Sequence, residues 1–268
     1  MNFKEAILKR RSVRTFDFKN DLTPELLADI NNFLKNANNP YNIDIEWKIF
    51  EASKYKLSSP VINGEKYYII GKVKKIDHAL EAFGYEFEEI ILYLTSIGIG
   101  TTWMAGTLDR KIFEHAIDLK EDEVMPCVTP IGYPNNKMSL KEKLMRKGIK
   151  ADHRKEFNEL FFSKNFNNPL DNDELNKYKD ILELVRKAPS AVNKQPWRIL
   201  INDNLIHFYK DSKKGYSNHG LDIQKVDLGI AIDHFVIGLK DKNIDYEFLI
   251  NDPKIECDFE YIASILIK

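Results

Sequence analysis

The chain has 268 residues, 43% hydrophobic and 12% aromatic, which is enough to fill a core and too apolar for a disordered chain. Its 40 Lys and Arg against 41 Asp and Glu leave a formal net charge of −1, so a global positive field for nucleic acid or anionic membrane is excluded and only local basic patches remain. No apolar run reaches membrane-spanning length, MNFKEAILKRRS lacks the apolar core of a signal peptide, and Cys127 and Cys257 make no disulfide framework, so a soluble, cytoplasmic protein is expected.

Residues 3–11 read as a short helix ending in a basic cluster. Thr23 is a good N-cap, Pro24 suits the first helical position, and an amphipathic stretch runs to about Lys35. NANNPYN at 36–42 is loop chemistry, and 45–52 and 66–73 are aromatic and β-branched enough for strands. Leu80, Phe83, Phe87, Ile90, Ile91, Leu94 and Ile97 recur at helical spacing, with Gly98 as a stop. IGIGTTWMAGT at 97–107 reads as a buried strand or tight turn, followed by a helix near 109–117 and a strand near 124–133. Residues 134–172 are Asn- and Lys-rich with one apolar knot, Leu160–Phe162, and read as a connecting arm. A helix at 173–187, strands at 197–202 and 205–210, a long helix at 222–242 and strands near 244–250 and 258–267 complete the order.

An internal repeat underlies this order. The helix at 226–240 aligns without a gap on that at 81–95: Gly229 falls on Gly84, and Leu228, Ile232, Phe235, Val236 and Leu239 fall on Phe83, Phe87, Ile90, Ile91 and Leu94. Upstream, Trp197-Arg198-Ile199 matches Trp47-Lys48-Ile49. A duplicated half that cannot close its own core packs on its copy, so an internal pseudo-dimer is expected.

Three constellations offer chemistry. Arg10-Arg11-Ser12-Val13-Arg14 supplies forked, permanently charged donors that suit a phosphate monoester, although a solvated basic helix end explains the same residues. APSAVNKQPW at 188–197 holds Ser190, Asn193 and Gln195 on a loop stiffened by Pro189 and Pro196, as a planar, heteroatom-rich ligand requires; an ordinary turn uses the same residue types. GTTWMAGT at 100–107 has small residues that let a ligand approach backbone N–H groups, or that close a buried turn. The six histidines show no metal-ligand spacing. The adjacent pairs Asp77-His78, Asp152-His153 and Asp233-His234 read mostly as surface, and Cys127 reads as a small core residue.

Taken together, RRSVRTF, APSAVNKQPW and SIGIGTTWMAG with the later IGYP (Ile131–Pro134) resemble the motifs of the flavin-dependent nitroreductase family. The order departs from the common family pattern: the slot expected for the PSxxNxQPW loop holds NANNPYNIDIEW, and the intact loop stands only in the second half. This matches a subgroup with two fused halves in one chain. The resemblance implies an α+β nitroreductase-like fold, a central mostly antiparallel sheet flanked by helices, with halves at 1–165 (including the arm) and 173–268. In that family's homodimers each FMN takes the two motifs from different chains, so a fused duplicate keeping one motif in each copy can build one site.

The resemblance also implies roles. Arg10 and Arg11 meet the FMN phosphate region, Ser12 the ring or ribityl chain, and Arg14 the N1 and O2 edge. Pro189, Ser190, Ala191, Asn193 and Gln195 line the isoalloxazine. Backbone near Ala105 and Gly106 approaches N5, with Met104 beside them among the cofactor-binding residues, and Arg154, with Arg146 as the other candidate, closes on the phosphate. Flavin rather than a side chain carries the reaction, with NADH or NADPH as reductant and a small nitroaromatic, quinone or related acceptor as oxidant. No metal or nucleic acid is called for, and the internal pseudo-dimer implies a monomer. The alternative is a non-catalytic FMN- or nucleotide-binding protein on the same fold.

Overall fold

The computed structural model describes residues 2–135, 139–170, 172–212, 217–218 and 220–268, which divide into two units, Met1–Ala151 and Asp152–Lys268.

In the first unit, α1 (Phe3–Lys9) starts where the Asn2 side chain accepts the Glu5 N–H, and α2 (Pro24–Asn36) where Thr23 accepts from Leu26 at 3.2 Å. There follow β1 (Ile45–Glu51), α3 (Ala52–Tyr55), β2 (Tyr67–Lys74), α4 (Ala79–Ser96) and α5 (Arg110–Ala116). The expected strand near 124–133 is two, β3 (Glu123–Val124) and β4 (Val128–Ile131), broken around Pro126, which has no N–H for a ladder. The last helix of the unit is α6 (Leu140–Gly148).

β2 pairs antiparallel with β1 on one side and with β3 and β4 on the other. Trp47 stands opposite Gly71, where a Cβ would lie 2.1 Å from the indole ring, so glycine is the residue that lets the indole lie flat on the sheet. The segment 100–104 joins the far side of β4 through antiparallel bridges Gly100–Gly132 and Met104–Val128. Outside it, Ser12 bridges Thr101 in parallel, and the Val13 N–H donates to the Thr101 carbonyl at 2.8 Å. A Cβ on Gly100 would lie 3.0 Å from the Val13 side chain, so the close approach of these two segments depends on that glycine. The basic motif thus runs as an extended segment along the end of the unit's sheet.

The second unit carries α7 (Phe157–Leu160), β5 (Phe161–Ser163), α8 (Asn172–Lys187), a 3-10 turn at Ala191–Asn193, β6 (Trp197–Asn202) and β7 (Leu205–Lys210). After β8 (Ser217–Asn218) and β9 (Leu221–Asp222) come α9 (Ile223–Asp241), β10 (Tyr246–Leu249) and β11 (Glu260–Ile267). The sheet order is β10-β11-β7-β6-β5, antiparallel except for β5 on β6. β6 and β7 form a tight hairpin over Asp203-Asn204, with Asp203 at φ 55°, as such turns require.

The repeat is real at the level of topology. The first unit runs 100–104, β4, β2, β1; the second runs β10, β11, β7, β6, with antiparallel neighbours throughout. A long buried helix, α4 or α9, follows each hairpin. The fold is therefore α+β and internally duplicated.

The arm expected over 134–172 is not one element. Residues 136–138 and Asp171 lie outside the described residues. Of the rest, α6 belongs to the first unit, while Phe161–Ser163, inside the limits expected for the first half, pairs in parallel with Ile199–Ile201 of the second. Neither was expected: α6 is short and charged apart from Leu140, Leu144, Met145 and Gly148, and β5 is held by a partner distant in sequence.

The Asp233-His234 pair is not surface. Both residues are fully buried on α9, and His234 Nδ1 meets the Leu184 carbonyl at 2.8 Å. Cys127 is buried, as expected for a small core residue.

Candidate functional site

In the first unit the basic motif is built around two buried carboxylates. Glu88, fully buried on α4, accepts the Trp103 indole N–H at 2.9 Å and lies 3.7 Å from Arg10 Nε. Glu142, buried on α6, accepts from the Thr15 hydroxyl at 3.1 Å and from Arg11 Nη1 at 3.4 Å. An extended segment alternates its side chains, so Arg11 and Thr15 reach the same carboxylate. Arg10 and Arg14 each keep a buried Nη1 with no hydrogen-bond partner among the described residues. Burial pushes the Arg14 guanidinium below its ordinary value, and Arg146 adds to that while Glu142 opposes it. The neighbouring Thr101 and Thr102 hydroxyls are also buried without a partner among the described residues.

A buried guanidinium N–H without an acceptor is costly unless an anion completes it. The donor set therefore fits the phosphate of a flavin mononucleotide: forked, fully charged donors, desolvated and uncommitted.

Met104 departs from its expected role. Its side chain sits in the core with Val13, Phe16, Tyr68 and Phe113, and its N–H and carbonyl are both spent on Val128. Its side chain and both backbone polar groups are thus engaged within the unit. Ala105 is half-buried and Gly106 exposed, so backbone accessible to a ligand begins beyond Met104.

In the second unit the loop 188–197 leaves α8 and enters β6. Val192, Asn193 and Gln195 have φ of 50°, 56° and 51°, a left-handed conformation that a β-branched residue such as Val192 rarely adopts. Four contacts hold it there. The buried Asp227 carboxylate on α9 accepts the Ala191 N–H at 3.0 and 3.2 Å. Ser190 Oγ accepts the Gln195 N–H at 2.9 Å. The Gln195 side chain, 1% exposed, accepts from the Lys155 N–H at 2.9 Å, and Asn193 Nδ2 donates to the His153 carbonyl at 3.0 Å. The loop presents the Val192 side chain, 55% exposed, from this frame.

Gln195, expected at the ligand, is committed to the loop's own scaffold. Arg154, expected at a phosphate, donates to the His153 carbonyl at 2.8 Å and, at 3.4 Å, to the Asn193 side chain and to the Lys187 carbonyl at the end of α8. It ties the loop to a helix C-terminus, where a cation is favoured.

Burial holds the Asp227 carboxyl well above the usual aspartate range, against the pull of the Ala191 N–H. Asp227→Asn, which keeps an acceptor, leaves stability within about 1 kcal/mol, whereas Asp227→Ala strands the Ala191 N–H and costs about 1–3 kcal/mol. Urea melts give the stabilities and amide exchange at Ala191 gives the local effect; equal losses in both variants would contradict this role.

Glu88 and Asp227 carry no motif signal, Glu142 shows only a helix-capping pattern with Ser139, and Thr101 and Thr102 lie in the GTTWMAGT motif without being singled out there. Each of the three carboxylates is a polar residue at a position that only the fold reveals as buried.

Comparison with known proteins finds the following similarities. The family profile described as "Putative TM nitroreductase" matches residues 2–239. The crystal structure of a "putative nitroreductase" from Thermotoga maritima MSB8 aligns at 24% identity over 100% of this chain and 93% of that one, with a TM-score of 0.63. A nitroreductase family protein from Clostridium novyi NT aligns at 20% identity over 51% of this chain and 87% of its own, TM-score 0.43. An "FMN-dependent Nitroreductase" from Clostridium difficile R20291 aligns at 16% identity over 50% and 88%, TM-score 0.43. No curated protein sequence matches the chain. No helix among the described residues is long and apolar enough to cross a membrane.

Proposed function

The chain belongs to the nitroreductase family whose profile spans residues 2–239, and from that premise we propose that it is an FMN-dependent oxidoreductase, taking hydride from NADH or NADPH and passing electrons to a small acceptor such as a nitroaromatic or a quinone. The observation that carries this reading is the pair of buried Nη1 groups of Arg10 and Arg14 without partners among the described residues, on the segment that matches the family's opening motif. When bound, FMN supplies the acceptance and donation of hydride; the protein supplies binding, orientation and electrostatics.

Arg10 is the donor to the phosphate, oriented by Glu88. Arg14 brings a fixed positive charge into a desolvated setting, where it acts more strongly than it would in water. Arg11 reaches Glu142 and orders the segment. Pro189, Ser190, Ala191 and Asn193 are assigned to the isoalloxazine, on a loop whose strained conformation is fixed in advance and need not be ordered on binding. The reading includes a reducing compartment, in keeping with the free thiols Cys127 and Cys257, and a monomer, which light scattering checks.

The deciding experiment is the visible spectrum of the purified protein before and after added FMN, followed by mixing with NADH or NADPH and an artificial quinone. A flavin spectrum, FMN as the heat-released pigment, and oxidation of the nicotinamide are expected. A flavin that no reduced nicotinamide bleaches would leave a binding protein without turnover, and a protein that takes up no FMN would remove the reading.

A further inference from the structure

The segment that follows Met104 is gripped by a side chain that none of the three motifs contains. Arg110 opens α5, where a cation runs against the helix dipole, so its place there needs another cause. Its side chain is 10% exposed and turns back along the chain. Nη1 donates to the Ala105 carbonyl at 3.4 Å, Nη2 donates to the Met125 carbonyl, and Nε pairs with Glu114, one helical turn on, at 2.8 Å. A planar guanidinium makes these contacts from one rigid fork, so the Ala105 carbonyl is fixed relative to that of Met125. A second carbonyl of the segment is also taken: the hydroxyl of the buried Ser59 donates to Thr107 at 2.5 Å. Leu108 then packs on the core that holds Met104 and Phe113.

The peptide between Ala105 and Gly106 is planar and trans, so its C=O and its N–H point in opposite directions. With the carbonyl held by Arg110, the N–H of Gly106 is turned away from it. Gly106 is exposed, and its N–H donates to nothing among the described residues. An outward amide beside a fixed carbonyl meets an acceptor without first having to be ordered.

We propose that Arg110 is a positioning residue: it fixes the plane of the Ala105–Gly106 peptide so that the Gly106 N–H faces outward as a hydrogen-bond donor. The proposal rests on the FMN reading made under Proposed function and takes flavin N5, the atom expected beside Gly106, as the acceptor. Arg110 itself does not touch the ligand and acts through the backbone.

The test compares wild type with Arg110→Ala, Arg110→Lys and, as an exposed control on the same helical turn, Lys111→Ala. Affinities for FMN and for its deazaflavin analogue, in which C–H replaces N5, are measured by equilibrium dialysis. The order of the Gly106 amide in the ligand-free protein is measured by NMR relaxation. Wild type and Lys111→Ala bind FMN about three- to tenfold more tightly than the analogue, the value of one neutral hydrogen bond. Arg110→Ala brings the two affinities within about twofold of each other, and Arg110→Lys, which keeps the charge without the fork, falls between. A general loss of structure would weaken both flavins together and leave their ratio unchanged. A preference for FMN retained in Arg110→Ala, or absent from wild type, overturns the proposal. Where Arg110→Ala does not fold, Arg110→Lys carries the comparison, and an unchanged ratio in it has the same force. If wild type takes up neither flavin, the FMN reading fails and the ligand-free amide decides alone. Gly106 ordered in wild type and Lys111→Ala but mobile in the Arg110 variants upholds the positioning role; equal order in all of them overturns it.

Discussion

Arg14→Ala weakens FMN binding about 10- to 100-fold while leaving the ligand-free protein as stable as before or more so. The first half follows from the hydrogen bond to the ligand that alanine cannot make. A hydrogen bond to an ionised group is worth about 1.5–3 kcal/mol, and each 1.4 kcal/mol is tenfold in affinity. The second half follows from the state of the side chain without ligand: a guanidinium pushed down by burial, which Glu142 opposes without cancelling and Arg146 adds to, with a buried Nη1 that meets no acceptor among the described residues. Such a group is held at a cost, and its removal relieves that cost. Titration calorimetry with FMN and a ligand-free melt decide the matter together. Arg14→Lys restores the charge but not the fork and recovers part of the affinity. An unchanged FMN affinity, or a variant that fails to fold, would remove Arg14 from the site and make it a structural cation.

Glu86 gives the second large effect, on stability rather than binding. It is buried on α4, where its carboxylate accepts from the Trp47 indole and, at 2.8 Å, from Asn39. Burial outweighs both donors, and with Glu89 and Asp44 nearby the carboxyl is pushed up to about 7. The folded chain therefore holds this proton to higher pH than the unfolded chain does. Its contribution to stability is fully present below the unfolded glutamate value and is lost as pH rises toward and through 7. At 1.36 kcal/mol per unit, the loss between pH 5 and pH 8 is about 2–3 kcal/mol. Glu86→Gln cannot ionise, but its NH2 must face one of the two donors, which costs about 1 kcal/mol. The variant is thus less stable than wild type at pH 5 and more stable at pH 8. Urea melts followed by circular dichroism at the two pH values test the crossing; a stability difference of one sign at both would rule it out.

Much of this architecture was legible in the residues. Pro24 behind Thr23, the apolar spacing from Leu80 to Ile97 and its echo from Leu228 to Leu239 each reflect a local rule, and each element formed as that rule requires. The hairpin at Asp203-Asn204 is equally local. What stayed hidden is what depends on distant partners. β5 is three residues long and exists because β6 offers its edge. α6 had a local sign in Ser139-x-x-Glu142, a capping pattern, and in Leu140 and Leu144 four apart, but it is only two and a half turns long within a run rich in Asn and Lys. The side chain of Glu142 also leaves the cap for Arg11 and Thr15, which no spacing rule foretells. Met104 lies in the GTTWMAGT motif, and alternation along the bridged segment turns its side chain into the core. Gln195 and Arg154, expected at the ligand, brace the loop 188–197, through partners that its spacing does not reveal.

The chain's three tryptophans sit in three different electrostatic settings. Trp47 donates to Glu86, Trp103 donates to Glu88, which faces Arg10, and Trp197 is fully buried in β6 with an indole N–H that has no partner among the described residues. Indole emission shifts with the local field, so the protein carries its own optical reporters. Trp47 reads the titration of Glu86, Trp103 reads the engagement of Arg10 by an anion, and Trp197 reads the second unit. Replacing two of the three with phenylalanine isolates each signal, and the melting of one copy of the duplicated fold can then be followed apart from that of the other.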